Sequence, residues 1–439
     1  MLRHPPCHAD MQEHPLRQPL HNEIHARPFE RLPAPCLISH MAFLADAAQQ
    51  AQAHLHLCRL LEEQHLALPA ATGSFCSSQI GPLRLRWERH GEFVSYTFIR
   101  PGLAQEPGEW FAHGAAQQLS QAWREAIPGE LLCAIHVAVL PELDAAAEWP
   151  GLELERVLDA DALVGSEVAD RQARVYTDLR IHADGFARFV VVGRDISARR
   201  RGRMAQRLLE IETYRLLALL ALPVARAVGP QLARFEAELA HLMDAIRSSD
   251  GERDRQSLDE LSQLASAVEG LYARHHARFT AAAAYYDLVG RRIQDLHEQP
   301  FGGLQTMGQF MDRRLSPAMQ TCAHTARRLQ GLSERISRCS NLLRTRVEVQ
   351  MQQQNRELLA SMSRRQYLQL RLQQTVEGLS VAAITYYASS LVGHLFGAAR
   401  PWLHVDPELA QGLSIPLLGL LVWLGLRRAH RHLAGAEPG

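Results

Sequence analysis

The sequence predicts an α+β protein with an N-terminal mixed-sheet α/β domain, a long helical stalk or bundle, and a C-terminal two-helix transmembrane hairpin. Three observations support this: apolar and polar residues alternate up to about residue 195, helical periodicity follows Ser197, and residues 378–399 and 409–426 are uncharged. The predicted parts are a His/Pro-rich segment (1–40), the α/β domain (41–196), a helical bundle and stalk (197–377), the hairpin (378–426) and a basic tail (427–439).

Strands in the first domain are predicted from alternation and turn residues. Residues 83–89 and 92–100 alternate apolar with polar side chains around His90-Gly91, which is typical of a β-hairpin. A continuous apolar run at 131–140 predicts a strand buried on both faces. Two further strands are expected at 174–181 and 186–194, and helices at 41–66 and 115–126. Strands mixed with helices favour a layered α/β or α+β domain.

Helix is predicted for nearly everything after Ser197, which is a suitable N-cap residue. From Ala318 to Arg400 no proline interrupts 83 residues, and one helix of that length would span about 125 Å. A heptad stripe begins in this region but then drifts, so a bundle or stalk is expected rather than a two-stranded zipper. The stripe comprises Leu329, Leu332, Ile336, Cys339 and Leu343.

The two uncharged stretches have the lengths of membrane spans. At about 1.5 Å per residue they measure about 33 and 27 Å, against roughly 30 Å for the hydrocarbon core of a bilayer. Arginines flank the outer ends of the pair, whereas the connecting loop has Arg400 against two acids. By the positive-inside rule, the N- and C-termini are expected in the cytoplasm, with two spans in a bacterial inner membrane.

The composition excludes several classes of function. Basic and acidic residues balance at 47 each, so no nucleic-acid partner is expected, and all the basic residues are arginine. Without lysine, a Walker A loop, a kinase site or a Schiff-base enzyme cannot work in its usual form. The seven cysteines show no Cys-x-x-Cys spacing, and no signal peptide precedes residue 40. Neither a cofactor nor an enzymatic activity is therefore predicted.

Several segments resemble a known family. They are His14-Pro15-Leu16-Arg17, Asn22 to Pro28, Phe301-Gly302-Gly303-Leu304-Gln305, Phe310 to Arg314, Leu342 to Val347 and Leu370 to Ser380. Together they resemble a proteobacterial family of predicted membrane-anchored proteins of unknown function. The resemblance covers most of the chain and implies membrane anchoring, and it brings no catalytic residues.

Four small residues recur every fourth position in the first predicted span: Thr385, Ser389, Gly393 and Gly397. They lie on one helical face, and Gly393 and Gly397 have the GxxxG spacing that lets membrane helices approach closely. Helix packing is the favoured interpretation, and a pore lining is the alternative.

The N-terminal segment contains candidate polar groups. Glu23, His25 and Arg27 would lie on one side of an extended chain, as a proton-transfer or anion site or as an ion-paired structural clamp. The preceding histidines match no standard zinc spacing, so no metal site is predicted. Six arginines from Arg194 to Arg207 are interpreted as a solvated or lipid-facing surface, with phosphate binding as the alternative.

Two functions follow from these patterns. The first is a membrane-anchored cytoplasmic scaffold or sensor that forms a homo-oligomer. The alternative is an inner-membrane ion channel or transporter, because the predicted layout is similar to that of CorA-type cation channels. Those channels carry a Gly-Met-Asn motif in the outer loop, whereas residues 400–408 here are Arg-Pro-Trp-Leu-His-Val-Asp-Pro-Glu, which argues against magnesium selectivity. The ion of such a channel is not identified by the sequence.

Overall fold

A computed structural model describes residues 14–18, 20–21, 28–71, 73–141, 154–193, 196–248, 253–398 and 406–434. Over these residues the protein is α+β, as predicted, with a nine-stranded sheet followed by long helices. The strands are β1 (Cys36–Leu44), β2 (Phe75–Ile80), β3 (Leu83–Arg89), β4 (Phe93–Pro101), β5 (Glu130–Pro141), β6 (Val164–Val168), β7 (Ala173–Thr177), β8 (Ala187–Gly193) and β9 (Gln299–Pro300). The α-helices are α1 (Ala47–Glu63), α2 (Gln121–Glu125), α3 (Ala198–Leu219), α4 (Ala221–Ser248), α5 (Asp254–Leu296), α6 (Met307–Ala398) and α7 (Pro407–Ala434).

The chain forms two compact units. The first contains Met1–Arg247 and Asp259–Cys339, and it holds the sheet. The second contains Ser248–Leu258 and Ser340–Gly439. An ion pair joins these two segments, with Arg346 Nε 2.9 Å from an Asp254 carboxylate oxygen.

The sheet is mixed, as predicted. Its order is β2-β3-β4-β1-β5-β8-β7-β6-β9, and β5 and β8 run parallel while the other neighbouring strands are antiparallel. Strand β5 is central and pairs on both sides, which explains the apolar run at 131–140.

Each face of the sheet carries its own apolar core. Successive side chains of a strand point to opposite faces, so β1 sends Ile38 to one core and Leu37 to the other. The first face packs against α3 through residues such as Leu208, and the second face packs against α1 through Leu57 and Leu61. The sheet is therefore the middle layer of the first unit.

The predicted helix at 41–66 is wrong at its start. Residues 41–44 belong to β1, and α1 begins only at Ala47, after a capping box between Asp46 and Gln49. Strand β1 is buried on both faces and thus lacks the alternation that identifies a half-buried strand. The helix predicted at 115–126 is also divided, into a 3₁₀ turn at Ala115–Gln118 and the short α2 capped by Ser120.

The helical prediction after Ser197 is confirmed in two respects. The Ser197 hydroxyl caps α3 by accepting a hydrogen bond from the Arg200 backbone N–H at 3.4 Å. The proline-free segment after Ala318 continues without a break as part of α6, which is 92 residues long.

One helical stretch among the described residues, Ala198–Ser248, is long and apolar enough to cross a membrane, with a mean hydropathy of 1.6 in its most apolar part. It comprises α3 and α4 and differs from the two spans predicted at 378–399 and 409–426. Leu217, Ala218 and Ala221 in this stretch are fully buried in the core on the first face of the sheet. About a third (33%) of its most apolar part is buried inside the protein. The two-span hairpin stays a prediction.

Candidate functional site

A cavity of about 270 Å³ lies between the first face of the sheet and α3. Strands β1, β3 and β4 form its floor, and α3, Arg292 of α5 and the segment before β1 form its other walls. Polar groups inside a protein are costly unless they are paired, so a polar cavity on an otherwise apolar face is a candidate site. Its polar lining residues are Glu30, His40, Arg86, Glu88, His90, Ser95, Thr97, Gln206, Glu210, Thr213, Tyr214 and Arg292.

The floor contains a row of polar side chains across three strands. Arg86, Thr97 and His40 are direct cross-strand neighbours on β3, β4 and β1. Nδ1 of His40 lies 2.8 Å from Thr97 Oγ1, and Nε2 lies 3.3 Å from Thr213 Oγ1 of α3. Burial lowers the pKa of His40 to about 4, so its ring is neutral at pH 7. One ring nitrogen then donates and the other accepts, which matches two hydroxyl partners.

An ion pair lies beside this row on the floor. Arg86 is 5% exposed and donates to the Pro28 carbonyl oxygen and to Glu88 Oε1, each at 2.8 Å. Burial raises the pKa of Glu88, but the Arg86 guanidinium outweighs burial and holds this pKa below its ordinary value. Among the described residues nothing donates to Oε2 of Glu88, so an ionised oxygen remains on this wall.

The segment 28–32 closes one side of the cavity. Glu30 accepts hydrogen bonds from Ser77 Oγ at 2.7 Å and forms an ion pair with Arg84 at 2.8 Å. Its backbone crosses α3 directly over Gly202, where any Cβ atom would overlap the Glu30 carbonyl oxygen. Glycine is required at position 202 because the approach leaves no room for a side chain.

A second ion pair lies on the helical wall. Glu210 accepts from Gln206 Nε2 at 2.8 Å and from Nε of Arg292. Burial lowers the pKa of Arg292, but the Glu210 carboxylate outweighs it and raises this pKa overall. Arg292 Nη1 also lies 3.5 Å from Asp295, whereas Nη2 has no partner within the described part of the chain. The helical wall therefore has a spare donor, and the floor has a spare acceptor.

A second buried histidine lies on the opposite face of the sheet. Nδ1 of His136 is 2.9 Å from Ser39 Oγ, and its ring stacks on Phe186 with centroids 3.9 Å apart. Burial lowers the pKa of His136 to about 4, so this ring is also neutral at pH 7. It packs as an aromatic side chain and adds nothing to the cavity.

Two of the four small residues predicted to pack within the first span, Thr385 and Gly393, lie against α7. Thr385 and Ser389 are 9% and 3% exposed, and a Cβ atom on Gly419 would lie 3.6 Å from Thr385 Cγ2. A Cβ atom on Gly393 would lie 2.7 Å from the side-chain oxygen of Gln411, whereas Gly397 has open space around it among the described residues. The two helices are thus antiparallel neighbours. A role of this face in assembly or in a pore stays a prediction.

Most of the other predicted groups are either outside the described residues or paired within the protein. Glu23, His25 and Arg27 lie outside the described residues, as does Arg194. In the arginine cluster, Arg200 pairs with Asp170 at 3.8 Å. Arg207 pairs with Asp295 at 3.7 Å, and Arg201 donates to the Leu32 carbonyl oxygen at 3.1 Å. Where the structure describes the chain, no three His, Cys, Asp or Glu residues are grouped as metal ligands.

Sequence analysis missed the cavity because its members are distant in the sequence. His40, Arg86 and Arg292 meet only through strand register and helix packing. The sequence of β3 contained one signal, because Leu83, Leu85 and Trp87 alternate with charged residues. In the structure most positions of this strand are buried, and the charged Arg86 is among them. A charged side chain on a buried strand needs a polar partner among the residues that pack against the same face of the sheet.

Comparison with known proteins supports the resemblance to a family of unknown function, whereas proteobacterial origin and membrane anchoring stay predictions. No curated protein matches the chain, and no solved structure matches it. A family described as "Protein of unknown function (DUF3422)" matches residues 12–433, which is nearly the whole chain. The chain therefore belongs to the DUF3422 family.

Proposed function

We propose that this protein is anchored in a bacterial inner membrane by a two-span hairpin formed by the end of α6 and by α7. The α+β unit and both termini lie in the cytoplasm, where the protein acts as a scaffold or sensor and assembles as a homo-oligomer. The proposal assigns it no catalytic chemistry.

The observation that carries the proposal is the exposure of large apolar side chains on both helices. Leu379 and Leu413, for example, are 72% and 74% exposed. Within residues 378–399 and 409–426 the exposed set is Leu379, Ile384, Tyr386, Tyr387, Leu391, Leu395, Leu409, Leu413, Ile415, Leu417, Leu420, Leu421, Trp423 and Leu424. Large apolar side chains are also exposed on α6 before residue 378, for example Leu342 and Leu372, but charged residues lie among them. A contiguous apolar surface of this kind on a soluble protein marks a contact with lipid or with another protein.

Lipid accounts for this surface better than a protein groove does. Residues 378–399 and 409–426 contain no charged side chain. Burial of each large apolar side chain contributes roughly 1.5–3 kcal/mol, so the fourteen residues together favour a bilayer by tens of kcal/mol. Helices also satisfy their backbone hydrogen bonds internally, as the hydrocarbon core requires.

The arginine distribution supports the orientation. Arg364, Arg365 and Arg371 precede the first span, and Arg427 and Arg428 follow the second. The loop between the spans has Arg400 with Asp406 and Glu408. Cytoplasmic termini are expected from this asymmetry.

The hydroxyl groups inside the hairpin favour packing over conduction. Thr385 Oγ1 donates to the Val381 carbonyl oxygen at 2.7 Å, and Ser389 Oγ donates to that of Tyr386 at 2.8 Å. Both hydroxyls are thus satisfied within their own helix and need no pore water. No specific observation favours the channel alternative.

Topology reporters test the proposal directly. Alkaline phosphatase, which is active only in the periplasm, is fused after residue 439, inserted at Leu403, or inserted in the segment 249–252. We expect activity only for the Leu403 insertion, with green fluorescence when a cytoplasmic reporter replaces phosphatase at the other two sites. Activity at the C-terminus would overturn the two-span model. Activity at 249–252 would instead identify Ala198–Ser248 as a membrane span.

A further inference from the structure

The cavity on the first face of the sheet has the properties of a ligand site, independently of how the protein is anchored. Its volume of about 270 Å³ suits a small molecule and is too small for a dinucleotide or a folded peptide. Polar groups approach it from both the sheet and the helices, while Ile99 and Leu209 supply apolar surface between them.

The arginine and glutamate side chains that line the cavity are all paired, which limits the charge of a ligand. Arg86 pairs with Glu88 on the floor, and Arg292 pairs with Glu210 on the helical wall. Glu30 is paired with Arg84, and burial keeps His40 neutral. A phosphate or another multiply charged anion would face three carboxylates, and each arginine of the cavity already contacts one of them. The balance favours a molecule without net charge.

The spare hydrogen-bonding atoms are complementary and lie on different walls. Oε2 of Glu88 accepts nothing from the residues that the structure describes, and it belongs to an ionised carboxylate on the sheet. Nη2 of Arg292 donates to nothing in the same set, and it belongs to a guanidinium on the helices. A carboxylate in a partly buried site binds an ammonium group strongly, and arginine binds a carboxylate.

We propose that this cavity binds a small zwitterion, a free L-amino acid with an apolar side chain, whose ammonium group contacts Glu88 and whose carboxylate contacts Arg292. The side chain then lies against Ile99 and Leu209. The ion pairs of the protein are kept, and the ligand supplies hydrogen-bond partners for the remaining carboxylate oxygen of Glu88 and the remaining nitrogen of Arg292. No covalent step is involved.

Binding is tested on the full chain in detergent by thermal unfolding and by titration calorimetry. L-leucine and L-valine are the probes, each at millimolar concentration. The comparison compounds are 3-methylbutylamine, which is leucine without its carboxylate, 4-methylpentanoic acid, which is leucine without its ammonium group, and glucose. We expect at least one amino acid to raise the melting temperature by a few degrees, with none of the three comparison compounds doing so. The inference is overturned if neither amino acid binds, or if a one-charge analogue or glucose binds as well as the amino acid.

Two substitutions assign the contacts. Glu88→Gln keeps the shape of the side chain and removes its charge, and Arg292→Gln removes the guanidinium. Each substitution should weaken binding, with a Kd at least ten times larger than that of the parent. Arg278→Gln is the matched control, because Arg278 lies on the same helix and forms an ion pair with Glu92 outside the cavity at 2.7 Å. Unchanged binding by Glu88→Gln, or an equal loss in Arg278→Gln, contradicts the assignment. The analogue comparison uses the unmodified protein and remains decisive even if a variant does not fold.

Discussion

The two compact units place their apolar residues in opposite ways. In the sheet unit, Trp87, Phe98 and Phe189 are fully buried. In the C-terminal unit, Leu391 and Leu417 are exposed, whereas the buried Thr385 and Ser389 of the same helix pair carry hydroxyl groups. Mean hydropathy alone does not distinguish these cases, since the apolar stretch Ala198–Ser248 lies almost wholly in the sheet unit and contributes Leu217, Ala218 and Ala221 to its core. The two units differ in whether their large apolar side chains are buried in a core or exposed on the surface.

Removing the C-terminal helices should change the location of the protein completely. We expect a variant without residues 378–439 to move from the membrane fraction to the soluble fraction after carbonate extraction, because the fourteen exposed apolar side chains are lost. A variant that lacks only residues 435–439 is the control and should remain in the membrane. A truncated protein that stays in the membrane would mean that another segment, such as Ala198–Ser248, holds it there.

Within the sheet unit, Gly202→Ala should be strongly destabilising. The new Cβ atom would overlap the Glu30 carbonyl oxygen, so either the segment 28–32 or α3 must move. Overpacking of this kind costs about 3 kcal/mol or more when backbone is the obstacle. Gly229→Ala in α4 is the matched control, since nothing lies within 4 Å of its Cβ position in the described structure, and it should be neutral or slightly stabilising. Equal melting temperatures for both variants would show that the segment does not cross α3 in this way.

Acidification should destabilise the sheet unit through its two buried histidines. His40 and His136 each have a folded-state pKa near 4, whereas an unfolded histidine has one near 6.5. The unfolded chain therefore binds more protons between these values, and stability falls as the pH decreases from 6.5 to 4. At pH 5 the loss is about 2 kcal/mol for each histidine. The Arg86 guanidinium holds the pKa of Glu88 below its ordinary value, so this carboxylate affects stability mainly in more acidic solution.

The measurement is the free energy of unfolding at pH 7 and pH 5, for the parent and for His40→Gln. Because His40→Gln removes one of the two histidines with the largest shifts, the pH-dependent loss should be smaller than in the parent by about 2 kcal/mol. His241→Asn, at an exposed position of α4, should leave the loss unchanged. A His40→Gln variant with the full pH dependence would mean that His40 is protonated normally in the folded protein.

Much of the fold could be predicted from the sequence, because local patterns determine it. Alternation identified β3 and β4, and the Ser197 cap marked the start of α3. Strand β1 was missed at Met41 because both of its faces are buried, which removes the alternation. The cavity was not predicted, because its composition depends on sheet register and on which helix face covers the sheet. Neither of these is encoded within a short window of sequence.

The smallest effect is expected in the C-terminal helix pair, where contacts between the helices can be separated from contacts between protomers. Gly393→Leu would place its side chain against Gln411 and push α7 away, whereas Gly397→Leu points into open space among the described residues. We expect Gly393→Leu to weaken the pairing of the two helices by roughly 1–2 kcal/mol, without abolishing insertion.

Cysteine pairs introduced at 389 and 415 would report helix proximity by crosslinking, and native mass spectrometry would report the oligomer. If Gly397→Leu alone dissociates an oligomer, its face contacts another protomer. If neither variant alters crosslinking or assembly, the small residues of α6 do not hold helices together, and ion flux in liposomes should then be measured for Thr385→Val.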